Sequence, residues 1–97
     1  MTPPQDLVSG TARVTLRYWA AARAAAGTDS DTLDVSGPVP LADLVARAKS
    51  AHDDRFARVL SCCSMMVGDR PVTTDDPASV LVHPGATVEF LPPFAGG

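Results

Sequence analysis

The fold class predicted by the sequence is α+β, with a mixed sheet packed on one main helix. From residue 12 to 18, apolar and polar side chains alternate with strict period two, which is typical of a half-buried strand. From residue 41 to 48, apolar side chains recur at helical spacing. The segment 86–91 is again typical of a strand. Strands on both sides of one long helix favour a sheet with the helix on one face.

The first part of the chain predicts a strand, a short helix and a second strand. The apolar face of the first strand consists of Val14, Leu16 and Tyr18. Segment 20–26 is almost entirely alanine, the best helix former, and Gly27 follows where a left-handed C-cap belongs. Residues 32–35 form a weaker strand that ends at Gly37-Pro38. A short helix is therefore expected to interrupt the first strand pair.

The main helix is predicted to begin after Pro40. Its apolar positions follow the i, i+3, i+4, i+7 pattern of one buried helix face, and they are Leu41, Leu44, Val45 and Ala48. One further helical turn is predicted around Phe56, because Val59 and Leu60 repeat the spacing.

The last third of the chain predicts further strands. Residues 61–67 are apolar and strand-like, and Gly68-Asp69 suits a two-residue hairpin turn. After a short segment at 80–82, the final strand runs from 86 to 91. We expect the first and last strands to pair in parallel through a right-handed crossover, which places both at the sheet centre.

Composition indicates one domain and argues against several classes of partner. The chain has 97 residues, a net charge of -3 and a pI near 5.0, whereas nucleic-acid binding needs clustered basic residues. Residues 1–11 contain Pro, Gly and Ser and are expected to be a flexible lead-in. They also lack the charged and apolar regions of a secretion signal. No apolar run is long enough for a membrane span. We therefore expect a cytoplasmic protein without nucleic-acid or membrane partners.

Cysteine, histidine and clustered aspartate residues show no sequence pattern that indicates a chemical role. Cys62 and Cys63 are sequence neighbours and are expected to be small hydrophobic residues of a strand rather than a disulfide, while the sequence leaves open whether either thiol reacts. No Cys/His cluster indicates a metal site. The two histidines and three of the aspartates are expected to be solvated surface groups, and they are His52, His83, Asp29, Asp31 and Asp34.

The tail, residues 92–97, is the most informative segment of the sequence. It reads Pro92-Pro93-Phe94-Ala95-Gly96-Gly97. A terminal Gly-Gly arises by chance in roughly one chain in 200 at background usage. Two glycines lack Cβ atoms and can thread a narrow channel, while two prolines lower the entropic cost of ordering the segment. This pattern predicts that the terminal α-carboxylate is inserted into another protein.

Several motifs together resemble a known family. They are Tyr18-Trp19, Arg23, Gly27, Leu41-Ala42-Asp43-Leu44, Val67-Gly68-Asp69, Gly85-Ala86-Thr87-Val88 and the Pro-Pro-x-x-Gly-Gly ending. Across residues 12–97 the chain resembles the small, sulfur-carrying subunit of molybdopterin synthase. That resemblance implies a ubiquitin-like β-grasp domain over residues 12–91 and an extended tail over 92–97. The sequence departs from the family at Trp19 and Phe94, where Phe and a smaller aliphatic residue are commoner.

The resemblance also implies a function for the tail. Gly97 would be adenylated with ATP by a ubiquitin-activating-type adenylyltransferase, and a sulfurtransferase would supply sulfur for a thiocarboxylate. The large catalytic subunit of molybdopterin synthase would then accept the tail. Gly96, Ala95 and the two prolines would thread its channel, with Phe94 and Leu91 as apolar anchors at the interface. No bound cofactor and no autonomous activity are expected, because the carrier would be a sulfur-donating subunit.

Three alternatives remain open from the sequence. One is a sulfur carrier for cysteine or thiamine synthesis, and another is a ubiquitin-like modifier joined to lysines through Gly97. The third is a binding module with a passive tail. Adding one residue after Gly97 separates the passive module from the others, because only a passive tail tolerates it.

Overall fold

The first strand, β1 (Ala12–Tyr18), alternates buried and outward-facing side chains as predicted. The computed structural model describes residues 12–73 and 76–93. The other elements follow in chain order as α1 (Ala20–Ala26), β2 (Ser30–Val35), β3 (Val39–Pro40), α2 (Leu41–Ala51), α3 (Asp54–Ser61), β4 (Ser64–Val67), β5 (Arg70–Pro71), a 3-10 helix (Pro77–Ser79), β6 (Leu81–Val82) and β7 (Thr87–Leu91).

The main sheet has five strands in the order β2-β1-β7-β4-β5. Strands β1 and β7 pair in parallel, and the other pairs are antiparallel. This confirms the predicted parallel pairing of the first and last strands inside the sheet. A separate two-stranded sheet joins β3 to β6. It was not predicted, because a two-residue strand is too short to show a hydrophobic period.

Helix α1 lies between β1 and β2, where the alanine-rich segment predicted it. Its C-cap is Gly27 with φ 75°, and the Gly27 N–H donates to the Arg23 carbonyl at 2.9 Å. A left-handed φ is readily adopted only by glycine, because it has no Cβ. The predicted helix and its end are both confirmed.

Helix α3 is longer than the single turn expected from the sequence. The Asp53 carboxylate caps it by accepting from the Phe56 N–H at 2.9 Å. Because α3 continues to Ser61, β4 begins only at Ser64, and the expected strand over 61–67 is wrong at its start. The core packs α2 and α3 on one face of the sheet, and its buried members are Val14, Leu16, Tyr18, Ala22, Leu41, Leu44, Ala48, Phe56, Leu60, Val82, Val88 and Phe90.

Asp31 and His52 are not solvated surface groups, which corrects the prediction for both. The Tyr18 hydroxyl donates to Asp31 Oδ2 at 2.7 Å, and His52 Nε2 lies 2.6 Å from the same oxygen. Their side chains are only 27% and 15% exposed. Strand β2 starts two residues earlier than predicted, so Asp31 shares the inward face of Leu33. His83, Asp29 and Asp34 are exposed, as expected.

Candidate functional site

Strand β7 fixes the base of the C-terminal tail. Its neighbours are β1 on one side and β4 on the other, so it is hydrogen-bonded along both edges. Phe90 is fully buried, and its carbonyl accepts from the Trp19 N–H at 3.2 Å. The tail therefore leaves from a strand that is held on both sides.

The structure describes only part of the predicted site. Leu91 ends β7 opposite Ser64 and is half-buried, Pro92 is half-buried, and Pro93 is exposed. The remaining predicted site residues are Phe94, Ala95, Gly96 and Gly97, and they lie outside the described residues. Their roles stay predictions.

The face of the sheet away from the helices carries an ordered polar and aromatic cluster near the tail. We call this face the outer face and define it by Arg17, Trp19, Met66, Glu89 and Leu91. The Trp19 indole Nε1 donates to Glu89 Oε1 at 2.9 Å, and the Arg17 guanidinium carbon lies 4.7 Å from the centroid of the Trp19 ring. Trp19 remains 36% exposed. The indole is thus held in place while part of its ring stays available for contact.

Sequence reasoning noted Trp19 but missed this cluster. Arg17 is paired in register with Glu89, which places both on the same side of the sheet as Trp19. The parallel pairing of β1 and β7 was predicted, but the register that sets these neighbours was not. Period-two alternation in both strands is the signal that could have placed their side chains on one face.

The backbone next to Trp19 adopts a strained conformation. Ala20 has φ 50°, the one positive φ among non-glycine residues in the described ranges. A left-handed conformation costs an L-residue about 1–2 kcal/mol, and such strain concentrates at functional sites. It occurs here at the start of α1, beside the end of β7.

A shallow depression of about 300 Å³ lies on the helix side of the tail base. We call it the tail-base groove, and it is lined by Ala21, Arg58, Val59, Cys62, Pro92 and Pro93. Helices α1 and α3 and the first two residues of the tail contribute its walls. The lining is mainly apolar, with the Arg58 side chain as its charged member.

The two cysteines do not lie in a strand, which corrects the prediction for both. Cys62 is the C-cap of α3 and is exposed, while Cys63 follows it and is half-buried. The Cys63 thiol donates to the Val59 carbonyl at 3.4 Å. Burial, with a smaller contribution from Cys62, raises the pKa of Cys63 to about 11. Both cysteines are free.

Within residues 12–73 and 76–93, no cluster of three or more His, Cys, Asp or Glu side chains is placed to hold a metal ion. None of the helices in these ranges is long and apolar enough to span a membrane.

Two known proteins are similar to this chain along most of its length. A molybdopterin synthase sulfur carrier subunit from Mycosarcoma maydis is 31% identical over 91 residues, covering 92% of this chain and 98% of that protein. The chain belongs to this sulfur carrier family. A molybdopterin synthase sulfur carrier subunit from Aspergillus niger is 29% identical over 82 residues, covering 84% of this chain and 91% of that protein. No protein-family model matches the chain.

Solved structures share the fold of this sulfur carrier at lower identity. SAMP1 from Haloferax volcanii superposes with a TM-score of 0.72 at 17% identity, covering 88% of this chain and 99% of that chain. A chain from the complex of subunits 1 and 2 of molybdopterin-converting factor from Helicobacter pylori gives a TM-score of 0.62 at 16% identity, with coverages of 88% and 99%. These likenesses confirm the predicted ubiquitin-like β-grasp fold.

Proposed function

We propose that this protein carries sulfur on the α-carboxylate of Gly97 and donates it for molybdopterin synthesis as the small subunit of molybdopterin synthase. The observation that carries the proposal is the 31% identity to a molybdopterin synthase sulfur carrier subunit across 92% of the chain. The Gly96-Gly97 ending supplies the reactive group. The body of the domain serves to hold and present it.

The chemistry requires activation from outside the chain. A terminal carboxyl group has an ordinary pKa of about 3.3–3.7, so it is ionised at neutral pH and is a poor acylating agent. An adenylating enzyme would use ATP to form the acyl-adenylate at Gly97, with release of pyrophosphate. A sulfurtransferase would then supply the sulfur that replaces AMP and leaves a thiocarboxylate.

The geometry of the tail base supports delivery of this group into a partner. Six residues from Pro92 to Gly97 reach at most about 20 Å from the end of β7. Pro92 and Pro93 have restricted φ angles, so less conformational entropy is lost when the tail is inserted. Since β7 is hydrogen-bonded on both sides, the tail begins from a fixed point.

The proposed acceptor is the large catalytic subunit of molybdopterin synthase. The similar Helicobacter pylori protein was solved as a complex of subunit 1 with subunit 2. We assign the docking surface for the large subunit to the outer face, because its fixed and partly exposed indole lies beside the tail base. Aromatic residues of this kind dominate the energetics of many interfaces.

Intact-mass spectrometry tests the proposal directly. The full chain is incubated with its adenylating enzyme, ATP and a sulfur donor. We expect a new species in which one oxygen of the Gly97 carboxylate is replaced by sulfur. When the large subunit and a cyclic pterin phosphate are added, the pterin should accept the sulfur and an oxygen from water should take its place, so that the mass returns to that of the carboxylate. A matched chain with one residue added after Gly97 should not change in mass. An unmodified mass for the native chain, or adducts joined to lysines of other proteins, would contradict the proposed function.

A further inference from the structure

We propose that Glu89 and Arg17 are positioning residues, which hold the Trp19 indole as a preformed anchor for the large subunit. This inference rests on the proposed function, because it concerns the docking surface beside the tail base. Both residues act through the indole ring, Glu89 at its N–H and Arg17 at its face. Neither of them has to contact the large subunit itself.

The main chain at Trp19 is fixed on both sides. Its N–H donates to the Phe90 carbonyl at 3.2 Å, and its carbonyl accepts from the Ala22 N–H at 3.0 Å. The direction in which the side chain leaves the main chain is therefore set. Only the side-chain torsions χ1 and χ2 remain to be fixed.

Two neighbours on the outer face fix these torsions. Glu89 Oε1 accepts from the indole Nε1 at 2.9 Å, and the Arg17 guanidinium carbon lies 4.7 Å from the ring centroid. The hydrogen bond holds the edge of the ring, and the cation covers one face of it. Because these contacts act in different directions, together they restrain both the tilt and the rotation of the indole.

This arrangement removes two costs of docking. Ordering a mobile side chain at an interface weakens affinity by about two- to twelvefold, and a ring that is already held avoids this loss. An indole N–H that is buried without an acceptor also lowers affinity. Since Glu89 already accepts from the N–H, the large subunit can cover Trp19 with apolar surface alone.

A double-mutant cycle separates positioning from direct contact. Titration calorimetry measures the affinity of Glu89→Ala for the large subunit, first in the native chain and then in a Trp19→Phe background. Phenylalanine has no N–H for Glu89 to hold. The loss should therefore be about fivefold in the native chain and less than twofold in the Trp19→Phe background. Equal losses in the two backgrounds, or no loss in either, would overturn the proposal.

Glu89→Gln is the matched rescue variant. Its amide oxygen can still accept from the indole N–H, while the negative charge is removed. Its affinity for the large subunit should stay within about twofold of that of the native chain. An affinity as low as that of Glu89→Ala would show that the charge of Glu89, rather than its hydrogen bond to Trp19, governs docking. That result would contradict the positioning role.

The fluorescence of Trp19 tests its orientation without any partner, because it is the sole tryptophan. Exposed side chains change rotamer in picoseconds to nanoseconds, a timescale that anisotropy decay detects. The fast loss of anisotropy should be small in the native chain and in Glu89→Gln, and larger in Glu89→Ala. Equal decays for the native chain and Glu89→Ala would show that Glu89 does not hold the ring.

Arg17→Met tests the contact at the ring face, since it keeps an apolar stem but loses the guanidinium. Arg13→Met is the matched control, because Arg13 is exposed on the same strand and pairs with Asp34. Only Arg17→Met should increase the fast loss of anisotropy and weaken binding to the large subunit, by about threefold. The same decay and the same affinity for both variants would contradict the role of Arg17.

Failure of this inference and failure of the proposed function give different results. If the native chain acquires no sulfur at Gly97, the carrier function is wrong, whatever the fluorescence of Trp19 shows. If the native chain acquires sulfur and binds the large subunit, and Glu89→Ala and Arg17→Met bind it equally well, only the positioning role is wrong.

Discussion

At the scale of single residues, Tyr18 joins three elements of the fold through one carboxylate. Its hydroxyl donates to Asp31 in β2, and Asp31 also pairs with His52 at the end of α2. The Tyr18 ring packs edge-on against Phe56 with a centroid separation of 5.0 Å. Burial, followed by the hydrogen bond to Asp31, raises the pKa of Tyr18 well above its ordinary value. The folded protein therefore holds Tyr18 in its neutral form.

This arrangement predicts loss of stability in alkaline solution. The unfolded chain releases the tyrosine proton near pH 10, whereas the folded chain keeps it. The unfolded state then binds fewer protons, so the free energy of unfolding falls as pH rises above about 10, by up to about 1.4 kcal/mol per pH unit. Because Tyr18 is the sole tyrosine, tyrosinate absorbance should appear only as the chain unfolds.

Tyr18→Phe is the matched control for this prediction. This substitution should remove the part of the fall in unfolding free energy above pH 10 that comes from tyrosine. The part that comes from Cys63, whose pKa is also raised, should remain. At neutral pH it should cost about 1 kcal/mol, because Asp31 loses one hydrogen bond. A free tyrosinate signal near pH 10 in the folded protein would contradict this interpretation.

At the scale of elements, α1 has a residue with positive φ at each end. Its first residue, Ala20, has φ 50°, and its C-cap, Gly27, has φ 75°. Glycine adopts this conformation without strain, whereas alanine does not. The short helix therefore depends on Gly27 at one end and stores strain next to the tail base at the other.

Gly27→Ala should destabilise the protein by about 1 kcal/mol, measured as a lower urea midpoint with an unchanged slope. A Cβ at Gly27 meets no atom within 4 Å, so the cost comes from the backbone alone. Gly37→Ala is the matched control, because that site is equally open and its φ is not in the left-handed region. Equal midpoints for the two variants would show that the helix end is not strained by alanine.

Elements with a clear local signal could be predicted from the sequence, and those set by distant contacts could not. Strand β1, α1 with Gly27 and α2 each show their own period or cap, and all three are confirmed. The β3–β6 sheet pairs residues far apart in the chain and has no local pattern. The same limit explains Asp31 and His52, whose shared hydrogen bonds depend on how β2 and α2 pack.

The candidate site shows the same division. The tail was found from its terminal glycines and prolines, which are visible in the sequence. The tail-base groove was not, because it forms where α1, α3 and the tail base meet. The predicted strand position of Cys62 was wrong, because α3 extends further along the chain than the apolar spacing indicated.

At the scale of the whole molecule, the proposed function separates the folded body from the reactive group on Gly97. The central strand β7 leads into the tail, and in that proposal the outer face beside it docks the large subunit. In this account, the domain provides recognition and the last residue provides reactivity. Stability of the body and reactivity of the tail should therefore be separable.

The most direct test is sulfur transfer by a chain that lacks only Gly97. Its unfolding midpoint and its affinity for the large subunit should stay close to those of the intact protein, because the body is unchanged. Molybdopterin formation should be abolished in a reconstituted assay that contains a cyclic pterin phosphate as sulfur acceptor, the large subunit, the adenylating enzyme, ATP and a sulfur donor. Molybdopterin formation at the normal rate without Gly97 would contradict the account.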